Sequence, residues 1–377
     1  MTAFVESAER RELRAAVARL AGKYGEKYFL AAAREGRKTT ELWDEAAALG
    51  YLGVAVPEEY GGGGGEIGDL AAVLEELATA GCPLLLMVVS PAIVGTVLAQ
   101  FGTAEQKRRW LPGVADGTAK YAFAITEPDA GSNAHQIATR AVRDGEEWVL
   151  NGTKTFISGV DEVSHVLVIA QGPALFLVPA DAPGFTWQPL EMGLVSPEKQ
   201  FTLFFDDVRL PADALIGSGS PGMEQLFAGL NPERIMAASS ATGMARWALR
   251  KAVEYARERS VWGTPIGAHQ GISHPLAKLH VEIEAARLLT QKAAALHAAG
   301  DLKAAGEAAN MAKYAAGEAV CAAVDQAIQT HGGNGLALEY GLVQALGTAR
   351  LTRMAPVSRE MALNFVAQFS LGLPRSY

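Results

Sequence analysis

The run Asn231-Pro-Glu-Arg234 places an ionisable acid directly before an arginine. A carboxylate can serve as a proton acceptor when burial raises its pKa, and an adjacent cation can orient an anionic ligand. The same residues also spell an ordinary helix start, with Asn as N-cap, proline at the first position and an acid in the first turn. Met223, Leu226, Phe227 and Leu230 already keep the i, i+3, i+4, i+7 spacing of a helix face. Pro232 is therefore expected inside or between helices, with Glu233 available as a base.

Other residues that could do chemistry point elsewhere. The cysteines Cys82 and Cys321 are far apart and belong to no CxxC pair, so neither a disulfide framework nor a metal site is expected. Gly61 to Gly65 tempts a phosphate-loop reading but lacks the Lys-Ser/Thr such a loop needs, and reads as a plain loop. The formal net charge of -8 argues against a nucleic-acid partner, which requires clustered cations. Any anionic ligand must be met by locally placed basic residues. No apolar run approaches the roughly 18–20 residues of a membrane helix, and the first twenty residues lack a signal-peptide core. The expectation is a cytoplasmic protein with no membrane partner.

These residues must be held by elements that the patterning divides into three stretches. Residues 1–119 are helical in texture, with segments at Thr40–Leu49, Asp69–Ala80 and Ile93–Phe101. Residues 120–221 change to short β-rich runs, and Asp144-Gly145 and Asn151-Gly152 carry hairpin-type turn signals around Glu147–Leu150. Val166–Ala170, Leu175–Val178 and Phe201–Val208 continue that pattern, which suggests a compact antiparallel β domain. No GxGxxG follows a strand, so a nicotinamide enzyme is not supported. Residues 222–377 return to long helices. Leu276, Leu279, Ile283, Ala286, Leu289, Ala293 and Leu296 form a coiled-coil-like seam, and Ala304–Ile328 is rich in alanine. An antiparallel bundle with apolar face to spare for subunit association follows.

Six runs carry a resemblance. Val56-Pro-Glu-Glu-Tyr-Gly-Gly62 and Gly102-Thr-Ala-Glu-Gln-Lys107 precede Phe123-Ala-Ile-Thr-Glu-Pro-Asp-Ala-Gly-Ser-Asn133. Asn151-Gly-Thr-Lys-Thr-Phe-Ile-Ser158, Arg257-Glu-Arg-Ser-Val-Trp-Gly-Thr-Pro-Ile266 with Gln270, and Gln329-Thr-His-Gly-Gly-Asn-Gly335 follow. In order and spacing the set resembles the acyl-CoA dehydrogenases across essentially the whole chain. The resemblance implies a mainly α fold with a β domain: an N-terminal helical domain, a middle antiparallel β-barrel-like domain and a C-terminal four-helix bundle.

It also implies bound FAD. Phe123, Ile125 and Thr126 would meet the flavin pyrimidine edge, while Gly131 and Ser132 let main chain approach a phosphate. Phe156 would lie against the flavin ring, followed by Ile157, with Ser158 at the N5 edge. Arg259, Trp262, Gln270, Gln329, Gly332 and Gly333 would hold the adenine side of a neighbouring subunit's FAD, and Ser358 completes the implied cofactor set. Ser132, Asn231 and Arg234 would contact substrate. The implied reaction is oxidation of an acyl-CoA thioester to its 2,3-enoyl product by a homo-oligomer, a tetramer or at least a dimer. Electrons would pass on to an acceptor such as electron-transfer flavoprotein.

Two departures matter. Asn133 stands where family members commonly carry aspartate, and keeps hydrogen-bonding capacity. Pro356 stands where many carry the catalytic glutamate, and proline can neither take a proton nor donate an N–H. Leu230-Asn-Pro-Glu-Arg234 resembles the arrangement of the isovaleryl-type members, which makes Glu233 the expected base, with Glu360 second. Oxidase or monooxygenase chemistry on the same scaffold, or a half-site subunit without turnover, remain the competing readings. The apolar Leu85–Val94 segment resembles the lining of the family's acyl pocket and favours an aliphatic acyl end.

Overall fold

A computed structural model describes residues 6–217 and 223–375. The expected boundary at 221/222 lies outside the described residues. The front is helical: α1 (Ala8–Glu35), α2 (Thr40–Ala48), α3 (Ile67–Thr79), the single turn α4 (Leu85–Met87), α5 (Thr96–Phe101) and α6 (Ala104–Ala115). α3 is buried almost throughout and starts at a capping box between Glu66 and Asp69. Between α4 and α5 the backbone widens into a π-helix, Val88–Gly95, that contains Pro91 and buries every residue. A proline there has no N–H for the regular ladder, which fits the change of bonding register. Ser90 Oγ accepts the Tyr121 N–H at 3.2 Å and ties this segment to the first strand.

The middle region is β1 (Tyr121–Ala124), β2 (Arg140–Asp144), β3 (Glu147–Ser158), β4 (His165–Ala170), β5 (Ala174–Pro179), β6 (Phe185–Leu190) and β7 (Gln200–Pro211). Two sheets form, ordered β1-β4-β5 and β2-β3-β7-β6, rather than the barrel-like closure expected. Nor is the pairing wholly antiparallel: β1 and β4 run parallel, in register Tyr121↔His165. The β2–β3 hairpin lies between them in sequence and supplies the crossover length that a parallel pair needs.

The Asp144-Gly145 turn signal holds, since Asp144 pairs with Glu147 across a two-residue loop. Asn151-Gly152 is not a turn. β3 runs straight through it with a register shift between Leu150 and Gly152. The glycine serves close approach instead, because a Cβ there would sit 2.4 Å from Thr139 Oγ1.

Behind the sheets stand three long helices, α7 (Met223–Glu258), α8 (Gln270–Ala298) and α9 (Leu302–His331). The hairpin β8 (Ser260–Val261) and β9 (Thr264–Pro265) follows α7. α10 (Ala345–Leu351) and α11 (Arg359–Phe365) pack on α9. Of the expected α8 seam, Leu276, Leu279, Ile283, Ala286 and Ala293 are buried, and Leu289 and Leu296 half-buried. α7 also packs on α3, where a Cβ at Gly243 would sit 2.4 Å from Glu75 O. An ionic network spans the same junction. Arg14 of α1 meets Glu75 and Glu76 of α3 at 2.8 Å each, and Arg246 and Arg287 reach Glu75 from α7 and α8 at 2.8 and 3.0 Å. Cys82 is buried and Cys321 partly buried, and both are free.

Candidate active site

Two strands and the loop after β1 build one face. Phe156 has φ 58 and is 57% exposed, an uncommon backbone and setting for a phenylalanine. It sits in a second register shift of β3, between Lys154 and Ile157, and such bulges re-aim side chains. Ile157, next along the strand, is buried. Ser158 Oγ and the buried Gln200 side chain exchange hydrogen bonds at 3.1 and 2.9 Å. Phe123, Ile125 and Thr126 are half-buried at the end of β1, and Gly131, Ser132 and Asn133 lie exposed beyond them.

Unforeseen residues lock this face together. Lys154 is 0% exposed, and its Nζ donates to Ile125 O at 2.9 Å and to Glu127 Oε1 at 2.7 Å. Glu127 further accepts the Ala138 and Thr139 N–H groups at 2.6 and 3.0 Å. The Thr155 N–H donates to Thr126 O at 2.9 Å. Burial pulls the Lys154 ammonium down to about 8 against the opposing pull of Glu127. The Glu127 carboxyl is held below its usual range by the Lys154, Thr139 and Ala138 bonds, which outweigh its burial. The signal for this pair lay in the motif runs themselves, as two opposite charges among apolar β residues.

A second cluster surrounds Glu233. Pro232 lies inside α7, so the carboxyl is presented from a helix interior and not from a helix start. Burial pushes it up to about 7, against the pull of Arg234 and Lys313. Arg234 donates to Leu230 O at 3.3 Å and Asn231 Oδ1 at 3.2 Å, and its buried Nε has no hydrogen-bond partner among the described residues. Asn231 Nδ2 reaches Leu302 O at 3.5 Å. Lys313, buried on α9, donates from Nζ to Val357 O and is drawn down to about 8 by burial and Arg234. Lys313 thus links the Glu233 cluster to the chain just after Pro356. Nothing in the alanine-rich run around it marked it beforehand.

Glu360 is a poor competitor. It is exposed and paired with Arg359 at 2.7 Å. Its carboxyl is held below the usual range by its backbone hydrogen bond and then by Arg359. Ser358 caps α11, its Oγ accepting the Met361 N–H at 3.2 Å.

The remaining expected residues gather at the far end of the bundle. Arg259, Trp262, Gln270, Gln329, Gly332 and Gly333 are all exposed. Trp262 has φ 51 and is 91% exposed. The Ile266 N–H bonds to Arg259 O at 2.8 Å, and Asn334 Nδ2 to Tyr255 Oη at 3.1 Å, so the hairpin and the end of α9 both fasten to α7. From Glu233 to the end of α7 at Glu258 is about 37 Å at 1.5 Å per residue.

The first face fits a flavin in the chemistry of its groups. It offers an exposed aromatic ring, a hydroxyl at Ser158, and at Thr126 an N–H and hydroxyl without a protein partner among the described residues. At Gly131 nothing stands within 4 Å of a built Cβ, which leaves open room beside the main chain. Among the described residues no three His, Cys, Asp or Glu side chains group as a metal site, and no helix is long and apolar enough to cross a membrane.

Comparison with known proteins agrees with this geometry. Family models match for the acyl-CoA dehydrogenase N-terminal domain over residues 7–118, the middle domain over 122–208 and the C-terminal domain over 220–371. The chain is similar to acyl-CoA dehydrogenase FadE12 of Mycobacterium tuberculosis, 61% identical over 100% of this chain and 99% of that protein. It superposes on a glutaryl-coenzyme A dehydrogenase in complex with glutaryl-CoA with a TM-score of 0.94, at 29% identity over 99% and 98% of the two chains. A glutaryl-CoA dehydrogenase from Mycobacterium smegmatis, solved with FADH2, gives a TM-score of 0.90 at 27% identity, covering 99% of this chain and 96% of that one. From its front helices through its sheets to its bundle, this chain belongs to the acyl-CoA dehydrogenase family, a family of flavin-dependent oxidoreductases.

Proposed function

We propose that this acyl-CoA dehydrogenase binds FAD and oxidises an acyl-CoA thioester at its α,β-bond, with Glu233 as the base. The observation that supports it is the contrast between two acids. Glu233 is partly buried inside α7 with its carboxyl raised to about 7, whereas Glu360 is exposed, ion-paired and lowered. A base poised near neutrality balances proton affinity against being deprotonated at working pH. Bound FAD supplies the two-electron acceptor for the β-hydrogen, which leaves with its bonding pair. Glu233 takes the α-proton, and the carbons left behind form the double bond of a 2,3-enoyl thioester.

Other side chains position the reactants. Phe156 would offer its face to the flavin ring, Ser158 and Thr126 would bond its edges, and Gly131 and Ser132 would admit a phosphate. Arg234, with its unpartnered Nε, and Asn231 orient the thioester or its CoA portion. Arg234 is also a donor of the kind that Pro356 has removed. The buried π-helix Val88–Gly95, apolar but for Ser90, supports an aliphatic acyl end. An electron-transfer flavoprotein is the class of acceptor that fits.

The test is anaerobic bleaching of the FAD-loaded protein with a panel of straight and branched acyl-CoAs. At least one acyl-CoA should bleach the wild type. Glu233→Gln should keep its flavin while bleaching slows by about 10²–10⁴-fold. Glu360→Gln should bleach like the parent. A Glu233→Gln protein that turns over normally removes the assignment, and a wild type that never bleaches removes the reaction.

A further inference from the structure

The Ile125 carbonyl and the Thr126 N–H belong to one peptide group. Lys154 Nζ donates to that carbonyl at 2.9 Å from a fully buried position. The following carbonyl, Thr126 O, accepts the Thr155 N–H at 2.9 Å. Successive residues of β3 thus grip successive carbonyls of the loop, and the Thr126 N–H, anti to the Ile125 carbonyl across their shared trans peptide, has no protein partner among the described residues. Hydrogen bonds in a chain polarise one another, most strongly where water is excluded and one partner is charged. An ammonium on a carbonyl therefore makes the N–H of the same peptide a stronger donor.

We propose that Lys154 is a positioning residue that raises the flavin's reduction potential through the Ile125–Thr126 peptide. This rests on the reading that a flavin lies against Phe156 with its edge at Thr126. Reduction adds negative charge to the ring, so a stronger N–H donor and a buried cation behind it favour the reduced form. Packing alone does not account for the charge. A buried ion pair is weak evidence for stability, since apolar side chains of similar volume often replace one without loss. The groups facing Lys154 are the Glu127 carboxylate, the Ile125 carbonyl and, across the β3–β7 ladder, the uncharged Leu203. Glu127 accepts from two N–H groups as well as from Lys154, so its charge is shared among three donors.

The experiment measures the midpoint potential of the FAD-loaded protein, by dye equilibration, for wild type and Lys154→Met between pH 6.5 and 9.5. At pH 6.5 the variant should be harder to reduce by tenfold or more in the reduction equilibrium, about 30 mV for a two-electron couple. The difference should close as pH rises through about 8, where Lys154 gives up its proton. A purely structural role gives no such closing difference. Equal potentials at pH 6.5, or an offset independent of pH, overturn the proposal. If Lys154→Met fails to fold, the wild type decides alone. Its potential must fall with an extra proton-linked slope near pH 8, and a straight line there overturns the proposal. A wild type that takes up no FAD fails at the flavin reading itself, and the proposal falls with it.

Discussion

As the proposed base, Glu233 must lose its proton before it can accept one, and burial in α7 raises the pH at which it does so. With the carboxyl raised to about 7, kcat/KM should climb with pH through that value and level off above it. A flat profile from pH 6 to 8 would contradict the assignment. Stability carries the same signature with a definite sign. A carboxyl whose folded pKa lies above its unfolded value contributes stability below the unfolded pKa, and that contribution is lost as pH rises through about 7. Glu233→Gln, neutral throughout, should therefore gain thermal stability relative to wild type between pH 5 and pH 8, a shift that calorimetry at the two pH values reads directly. The glutamate draws attention in the sequence because it stands next to an arginine in a run that resembles known members. Lys313 does not, because only the fold carries α9 past α7 and sets its Nζ on Val357 O.

Elements show where local pattern suffices and where it fails. The α8 seam and the Asp144-Gly145 hairpin follow from spacing and turn chemistry over a few residues, and both are present. The bulges of β3 do not follow from spacing, because they depend on which strand lies alongside. At Phe156 that has an energetic consequence. A left-handed backbone at a residue other than glycine costs roughly 1–2 kcal/mol, and a side chain 57% exposed recovers little of it by packing. Phe156→Gly should leave the flavin-free protein unchanged or stabilised by up to about 1 kcal/mol after glycine's entropy is counted. A core phenylalanine cut so far would cost about 3–5. The same variant should bind FAD more weakly, so paired denaturant melts with and without FAD separate the two effects. Gly243→Ala tests the opposite case. Its Cβ would press on Glu75 O at 2.4 Å and Ala78 Cβ at 2.6 Å, forcing α7 off α3 at a cost of about 1–3 kcal/mol in a denaturant melt.

At the scale of the whole molecule, the helix–sheet–helix order was readable from texture, whereas the parallel β1–β4 pair and the open two-sheet arrangement were not. Strand partners are chosen by tertiary packing, which leaves no periodic trace in one strand's sequence. The same limit applies to the exposed group at the far end of α7. Trp262 is 91% exposed in a left-handed backbone, and Arg259, Gln270 and Gly332 lie exposed with it. Strained, exposed residues persist where they contact something. The end of α7 lies about 37 Å along that helix from Glu233. On the reading that the family resemblance implies, Arg259 would serve the cofactor of another copy. Assembly and FAD binding are then linked by mass action. Sedimentation at micromolar concentration should show a dimer or larger. Arg259→Ala should weaken FAD binding by about 1.5–3 kcal/mol, the range for a hydrogen bond to a charged group, with Glu233 and Phe156 untouched. A monomer that holds stoichiometric FAD, or an Arg259→Ala protein that binds FAD as tightly as wild type, would show that each chain completes its own site.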